Sequence, residues 1–180
     1  WSSDVCSSDL VASTGIIGVP LPIDRLLGGL EKLLKNPLLK KGNDAADAIL
    51  TTDLTQKESW ASAQIDGEEI VVAGIAKGSG MIAPNMGTTL NYLVTNAKIE
   101  QTLLQELLDE TIRETYNMIS VDSDTSTSDM LLLFSTGKSK SAFKTNASRE
   151  KFVNLLKAVC RDLALKIVMD GEGATKIIEV

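Results

Sequence analysis

Apolar residues recur at helical spacing in three stretches of the chain. In "IDRLLGGLEKLLKN" Leu26, Leu27, Leu30, Leu33 and Leu34 share one face, although Gly28 and Gly29 should soften the middle of that helix. "KIEQTLLQELLDETIRET" aligns Leu103, Leu104, Leu107, Leu108 and Ile112, and "SREKFVNLLKAVCRDLALKI" aligns Phe152, Leu155, Leu156, Val159 and Leu163. These apolar faces read as core. A shorter helix is expected over Asn43 to Leu50, which opens on a capping residue with acids in its first turn and runs into "TTD". The pattern then changes to that of strands. "SWASAQIDGEEIVVAGIA" predicts a hairpin turning at Asp66-Gly67, with Ile70 to Ile75 as a buried strand. "MLLLF" (Met130 to Phe134) predicts a short strand after a polar loop, and "ALKIVMD" a further strand running into "GEGATK". Val11 to Pro22, rich in small residues and closed by two prolines, should be a tight loop. No repeat period or linker divides the chain, so the pattern predicts one incomplete mixed α/β domain.

The totals narrow the chemistry. With 43% hydrophobic residues in 180, the chain can bury a sizeable core. A formal charge of -6 disfavours nucleic acid or an anionic membrane as partner, because both are bound chiefly by clustered Lys and Arg. The apolar runs fall far short of the roughly 20 residues that cross a bilayer, and no leader pattern is visible, so a cytoplasmic protein is expected. Cys6 and Cys160 cannot make a disulfide framework or a four-thiolate metal site. Histidine is absent, which removes the commonest general base near neutral pH.

Three motifs fail on inspection. Gly137-Lys138-Ser139 lacks the earlier glycine of a phosphate loop, Leu132 standing in its place, and is expected to be an exposed turn. The acidic stretch from Asp122 resembles a calcium loop but has Thr127 and Leu133 where glycine and a bidentate glutamate are needed. In "KGSG" (Lys77 to Gly80) the lysine precedes the glycines, the reverse of a P-loop. No metal or resident cofactor is implied.

What survives is the threonine of "GIAKGSGMIAPNMGTTL" (Gly74 to Leu90). Without histidine, a threonine hydroxyl needs another base, and a chain-terminal threonine supplies one through its own α-amine. The reference pKa of that amine, roughly 7.7 to 8, leaves a useful neutral fraction in the cell. Exposing it requires cleavage of the preceding peptide bond, which a small residue such as Gly87 leaves accessible.

Five segments, "STGIIGVPLP", "AILTTD", "GIAKGSGMIAPNMGTTL", "YNMISVDSDTSTSD" and "DGEGATK", resemble in order the ornithine acetyltransferase family, the bifunctional glutamate N-acetyltransferases of arginine biosynthesis. The resemblance covers Val11 to Val180. It implies a four-layer α/β/β/α sandwich, here incomplete at both ends, of the type shared with self-processing aminopeptidases. It implies cleavage between Gly87 and Thr88, so that residues 11–87 end an α chain and 88–180 begin a β chain with Thr88 as nucleophile. Thr14 and Gly15 would form the oxyanion hole, and Thr51, Lys77, Thr88 and Glu172 would contact substrate. Lys77 suits a carboxylate and Glu172 an ammonium. Both Thr51 and Thr52 fit "TTD", with Thr51 favoured by its spacing to Lys77 and Thr88. The implied reaction moves acetyl from N-acetylornithine through an acetyl-threonine ester to glutamate, releasing ornithine, with acetyl-CoA as a second potential donor. The implied assembly is a heterotetramer of α and β chains.

The chain departs from the family pattern in places. Thr89 adds a second candidate hydroxyl beside Thr88, Ser123 stands where the family usually has glycine, and Ser128 where it has asparagine. The chain also reaches Val180 before the C-terminal substrate-binding Asn and Ser or Thr expected of the family. Trp1 to Leu10 resembles a translated sequencing adapter, which would make the remainder an internal fragment, inactive by itself. Two rival readings remain at this point: a self-processing aminopeptidase that passes its acyl group to water, and a non-catalytic binding module.

Overall fold

The computed structural model describes residues 12–16, 18–35, 42–83, 89–126, 129–140, 143 and 145–180. Trp1 to Leu10, Gly87 and Thr88 lie outside the described residues. The order of elements is α1 (Ile23–Lys35), α2 (Gly42–Ala48), β1 (Lys57–Ile65), β2 (Glu68–Lys77), β3 (Leu90–Thr95), α3 (Gln101–Arg113), a 3-10 turn (Tyr116–Met118), β4 (Met130–Ser135) and α4 (Asn146–Met169). The fold is mixed α/β.

The strands form one sheet in the order β1-β2-β3-β4, antiparallel at the first two junctions and parallel at the third. Asp66 and Gly67 turn the β1–β2 hairpin with φ of 51° and 81°, the left-handed pair that matches the twist of two adjoining strands. Alternation then sorts the side chains. Ile65, Ile70, Val72, Ala76 and Leu93 face a helical layer made mainly by α4, whose Phe152, Leu155, Leu156, Val159, Leu163 and Ile167 are buried. Leu107 and Leu108 of α3 join the same core.

Gly74 lies where α4 packs on the sheet through Leu163. A Cβ there would stand 2.5 Å from Leu93 Cδ2, 3.1 Å from the Tyr92 carbonyl oxygen and 3.2 Å from Leu163 Cδ1. Gly74→Ala should therefore overpack the core and lower stability by about 1–3 kcal/mol, seen as a lower urea midpoint with an unchanged slope.

Two expectations need correction. "ALKIVMD" is not a strand: Ala164 and Ile167 are buried and continue the face of Cys160 and Leu163 at three- and four-residue spacing, so α4 runs on to Met169. A short apolar run does not distinguish a strand from the last turns of a buried helix. The leucine face of α1 is not core among the described residues, since α1 buries nothing and Leu26, Leu27, Leu30, Leu33 and Leu34 are all exposed.

The opposite face of the sheet carries Trp60, Ile75, Tyr92, Val94 and Phe134, which with Ala45 of α2 border an open apolar cavity of about 400 Å³. One sheet and the helical layer on it are thus two of the layers implied by the resemblance. No helix among the described residues is long and apolar enough to cross a membrane.

Candidate active site at the ends of β2 and β3

β2 ends at Lys77, paired in register with Leu90 at the start of β3. Past this point the two strands diverge, and β2 runs on into "GSG". Lys77 is 2% exposed, yet among the described residues its Nζ forms no ion pair within 4 Å and reaches only the Thr51 hydroxyl, at 3.4 Å. Burial pushes this ammonium below the usual 10.5, against the attraction of Asp53 and Asp129 and with a further downward push from Lys57. A buried cation with no ion-pair partner among the described residues can receive an anion.

The neighbouring threonine of "TTD" is occupied differently. The Thr52 hydroxyl shares a 2.6 Å hydrogen bond with the Ser79 hydroxyl, so Thr52 fastens the glycine loop while Thr51 faces Lys77. Glu172 reaches the same loop from the end of α4. Its backbone N–H donates to the Ser79 carbonyl at 2.7 Å, and its Oε2 lies 2.6 Å from where a Gly80 Cβ would be. Glycine at position 80 leaves the room that this carboxylate occupies. Cation and anion therefore sit on one short loop, Lys77 at its start and Glu172 over its end.

The threonine pair divides as well. Thr89 is 2% exposed. Its backbone N–H donates to Asp129 Oδ1 at 2.6 Å, its hydroxyl also bonds Asp129, and its Oγ1 accepts from Asn91 Nδ2 at 2.8 Å. Burial raises the Asp129 carboxyl above its usual range, offset in part by these Thr89 bonds and by Lys77. The Thr89 hydroxyl is fully committed to its surroundings.

Underneath lies a buried ion cluster that sequence reasoning missed. Lys57 Nζ sits 2.7 Å from Asp53 Oδ1 and 2.6 Å from Asp170 Oδ2, with the Thr55 carbonyl at 3.2 Å. Asp53 also accepts from the Gly78 N–H at 2.6 Å and the Thr51 N–H at 3.2 Å. Asp170, which ends α4, accepts from the Leu54 N–H at 3.0 Å. Burial alone would raise the Asp53 carboxyl, but the Lys57 bond and the two backbone donors hold it below its usual 3.8. The spacing Asp53 to Lys57 was visible in the sequence; the partner 113 residues away was not.

Asp122, in the stretch resembling a calcium loop, accepts from the N–H groups of Met81, Ile82 and Asp124, which holds its carboxyl below the usual range despite partial burial. It anchors the loop beyond Gly80. Ser123 beside it has φ 65°, in the left-handed region that glycine adopts without strain. Gly137, in the motif that fails as a phosphate loop, has φ 62°, and Lys138 is exposed.

Thr14 is half-buried and Gly15 exposed, and a Cβ at Gly15 would meet nothing within 4 Å. Of the residues singled out in the sequence, the structure brings together Thr51, Lys77 and Glu172.

A model of the ArgJ family matches residues 4–180. The chain belongs to the ArgJ family. This is the ornithine acetyltransferase family that the five segments resemble. An arginine biosynthesis bifunctional protein ArgJ of Bacillus cereus is 48% identical over 172 residues, and the ArgJ 1 protein of Clostridium acetobutylicum is 47% identical over 172 residues. Each alignment covers 94% of this chain but 42% of the relative, so the chain spans about two fifths of the length of the ArgJ proteins it matches. The crystal structure of ArgJ from Bacillus halodurans aligns at 39% identity over 47% of this chain and 41% of that one, with a TM-score of 0.44.

Proposed function

We propose that this chain carries part of the acetyl-transfer site of a glutamate N-acetyltransferase of arginine biosynthesis. The observation that carries the reading is the buried Lys77 ammonium, which has no ion-pair partner among the described residues, at the start of the loop over whose end the Glu172 carboxylate lies. Such a pair suits a substrate bearing both a carboxylate and an ammonium, as ornithine, N-acetylornithine and glutamate do between them. Thr88 is the proposed nucleophile. It is bonded to Thr89, whose Cα lies about 3.8 Å further along the chain, and Thr89 adjoins the strand residue paired with Lys77.

In the proposed sequence, the chain first cuts itself at Gly87-Thr88. The freed α-amine of Thr88 takes the hydroxyl proton, and the oxygen attacks the acetyl carbonyl of N-acetylornithine. The tetrahedral intermediate collapses to an acetyl-threonine ester as ornithine leaves with a proton. The amine of glutamate then attacks the ester and regenerates Thr88. Thr14 and Gly15 are proposed as oxyanion donors, a contribution typically worth roughly 3 to 4 kcal/mol each. The same reading places the protein in the cytoplasm as α and β chains assembled together. The second sheet of the four-layer sandwich would then cover the apolar face around Trp60 and Phe134.

The intact mass of the complete gene product, followed by an acetyl-transfer assay, tests the proposal. Two chains, the second beginning at Thr88, and ornithine release that depends on glutamate are expected. A single uncut chain that leaves N-acetylornithine unchanged would overturn it.

A further inference from the structure

Lys57 and Lys77 both feel the charge of Asp53, but among the described residues only Lys57 is in ion-pair contact with it. All three protons of the Lys57 ammonium have acceptors: Asp53 Oδ1, Asp170 Oδ2 and the Thr55 carbonyl. Asp53 in turn spends Oδ1 on Lys57 and the Gly78 N–H and Oδ2 on the Thr51 N–H. The backbone that Asp53 holds is therefore that of Gly78, next to Lys77, and of Thr51, whose hydroxyl faces Lys77. Two carboxylates and two ammoniums make this group neutral. Without Lys57, two buried negative charges would face a single cation.

We propose that Lys57 is a positioning residue that keeps Asp53 from pairing with Lys77, so that the Lys77 ammonium stays free for the carboxylate of an amino-acid substrate. The inference rests on the reading of Lys77 as the carboxylate receptor. In a site of low dielectric, a carboxylate of the protein and one of the substrate compete for the same ammonium, and the tethered one wins unless it is occupied elsewhere. The buried Lys57, bonded to Asp53 at 2.7 Å and to Asp170 at 2.6 Å, supplies that occupation. Asp129 also attracts Lys77, but its carboxylate is taken up by Thr89. The selectivity of the site for a carboxylate is thus set by a lysine that need not touch the substrate.

The test compares N-acetylornithine with its carboxamide as acetyl donor, in the full-length protein at neutral pH, and reads the ratio of their kcat/KM values. The wild type should strongly prefer the acid. Lys57→Met should lower that ratio about tenfold or more, chiefly through the KM of the acid. Asp53→Asn should raise it, since its amide oxygen still accepts from Gly78 and Lys57 while the competing charge is gone. The double variant should return to within about threefold of wild type, because the two changes act on one contact. A merely structural Lys57 would depress both donors equally and leave the ratio unmoved, which would overturn the inference, as would a double variant worse than either single one. If Lys57→Met yields no folded protein, the sign of the change in Asp53→Asn decides: a lower ratio refutes charge competition. A wild type indifferent to the carboxamide would instead refute the reading of Lys77 itself.

Discussion

Thr88→Ala in the complete protein is expected to give an uncut precursor with no measurable acetyl transfer, a loss of about 10⁴-fold or more. One hydroxyl is asked to attack first its own preceding carbonyl and later the acetyl donor, and alanine offers neither attack. Thr88→Ser should keep part of both activities, since the hydroxyl remains and only the methyl group that restricts its rotamer is lost. Thr89→Ala should still cut at Gly87-Thr88. The Thr89 hydroxyl is held by Asp129 and Asn91 in a buried site, so its loss leaves the Asn91 amide only the longer bond to the Met130 carbonyl at 3.4 Å and lowers stability by about 1 kcal/mol. N-terminal sequencing of the second chain, with transfer rates and melting temperatures for the three variants, checks this. Cleavage and transfer surviving in Thr88→Ala but lost in Thr89→Ala would move the nucleophile by one residue.

Lys57→Ala should lower stability by about 3–5 kcal/mol, because it leaves Asp53 and Asp170 buried without their cation. Lys57→Met should cost less, since its side chain fills most of the space. The cluster also gives stability a pH dependence of known sign. The Asp53 carboxyl is held below its usual 3.8 in the folded protein, so its contribution is present at neutral pH and is lost as the pH falls through the folded value. Denaturant titrations from pH 7 down to about pH 3 should show this acid-side loss in the wild type and less of it in Asp53→Asn. Equal acid sensitivity in both would assign the loss to other carboxylates.

Local pattern was enough for much of this molecule. Asp66-Gly67 between alternating segments determined a hairpin, because few residue pairs adopt the left-handed turn that joins two twisted strands. The repeats in α3 and α4 determined helices with one buried face. What spacing could not determine was which apolar face finds a partner. The leucines of α1 have the same period as those of α3, yet those of α1 are exposed, since burial depends on what the rest of the fold places opposite. "ALKIVM" satisfies either period at that length, and its continuation of α4 was decided by the sheet surface beneath Ala164 and Ile167. Sequence favoured Thr51 over Thr52 by spacing and Thr88 over Thr89 by resemblance, but it gave none of them a partner. Only tertiary contacts gave Thr52 to Ser79, Thr51 to Lys77 and Thr89 to Asp129. The Lys57 cluster lay furthest from view, because an ion pair spanning 113 residues leaves no periodic trace and exists only once β1 and the end of α4 are packed together.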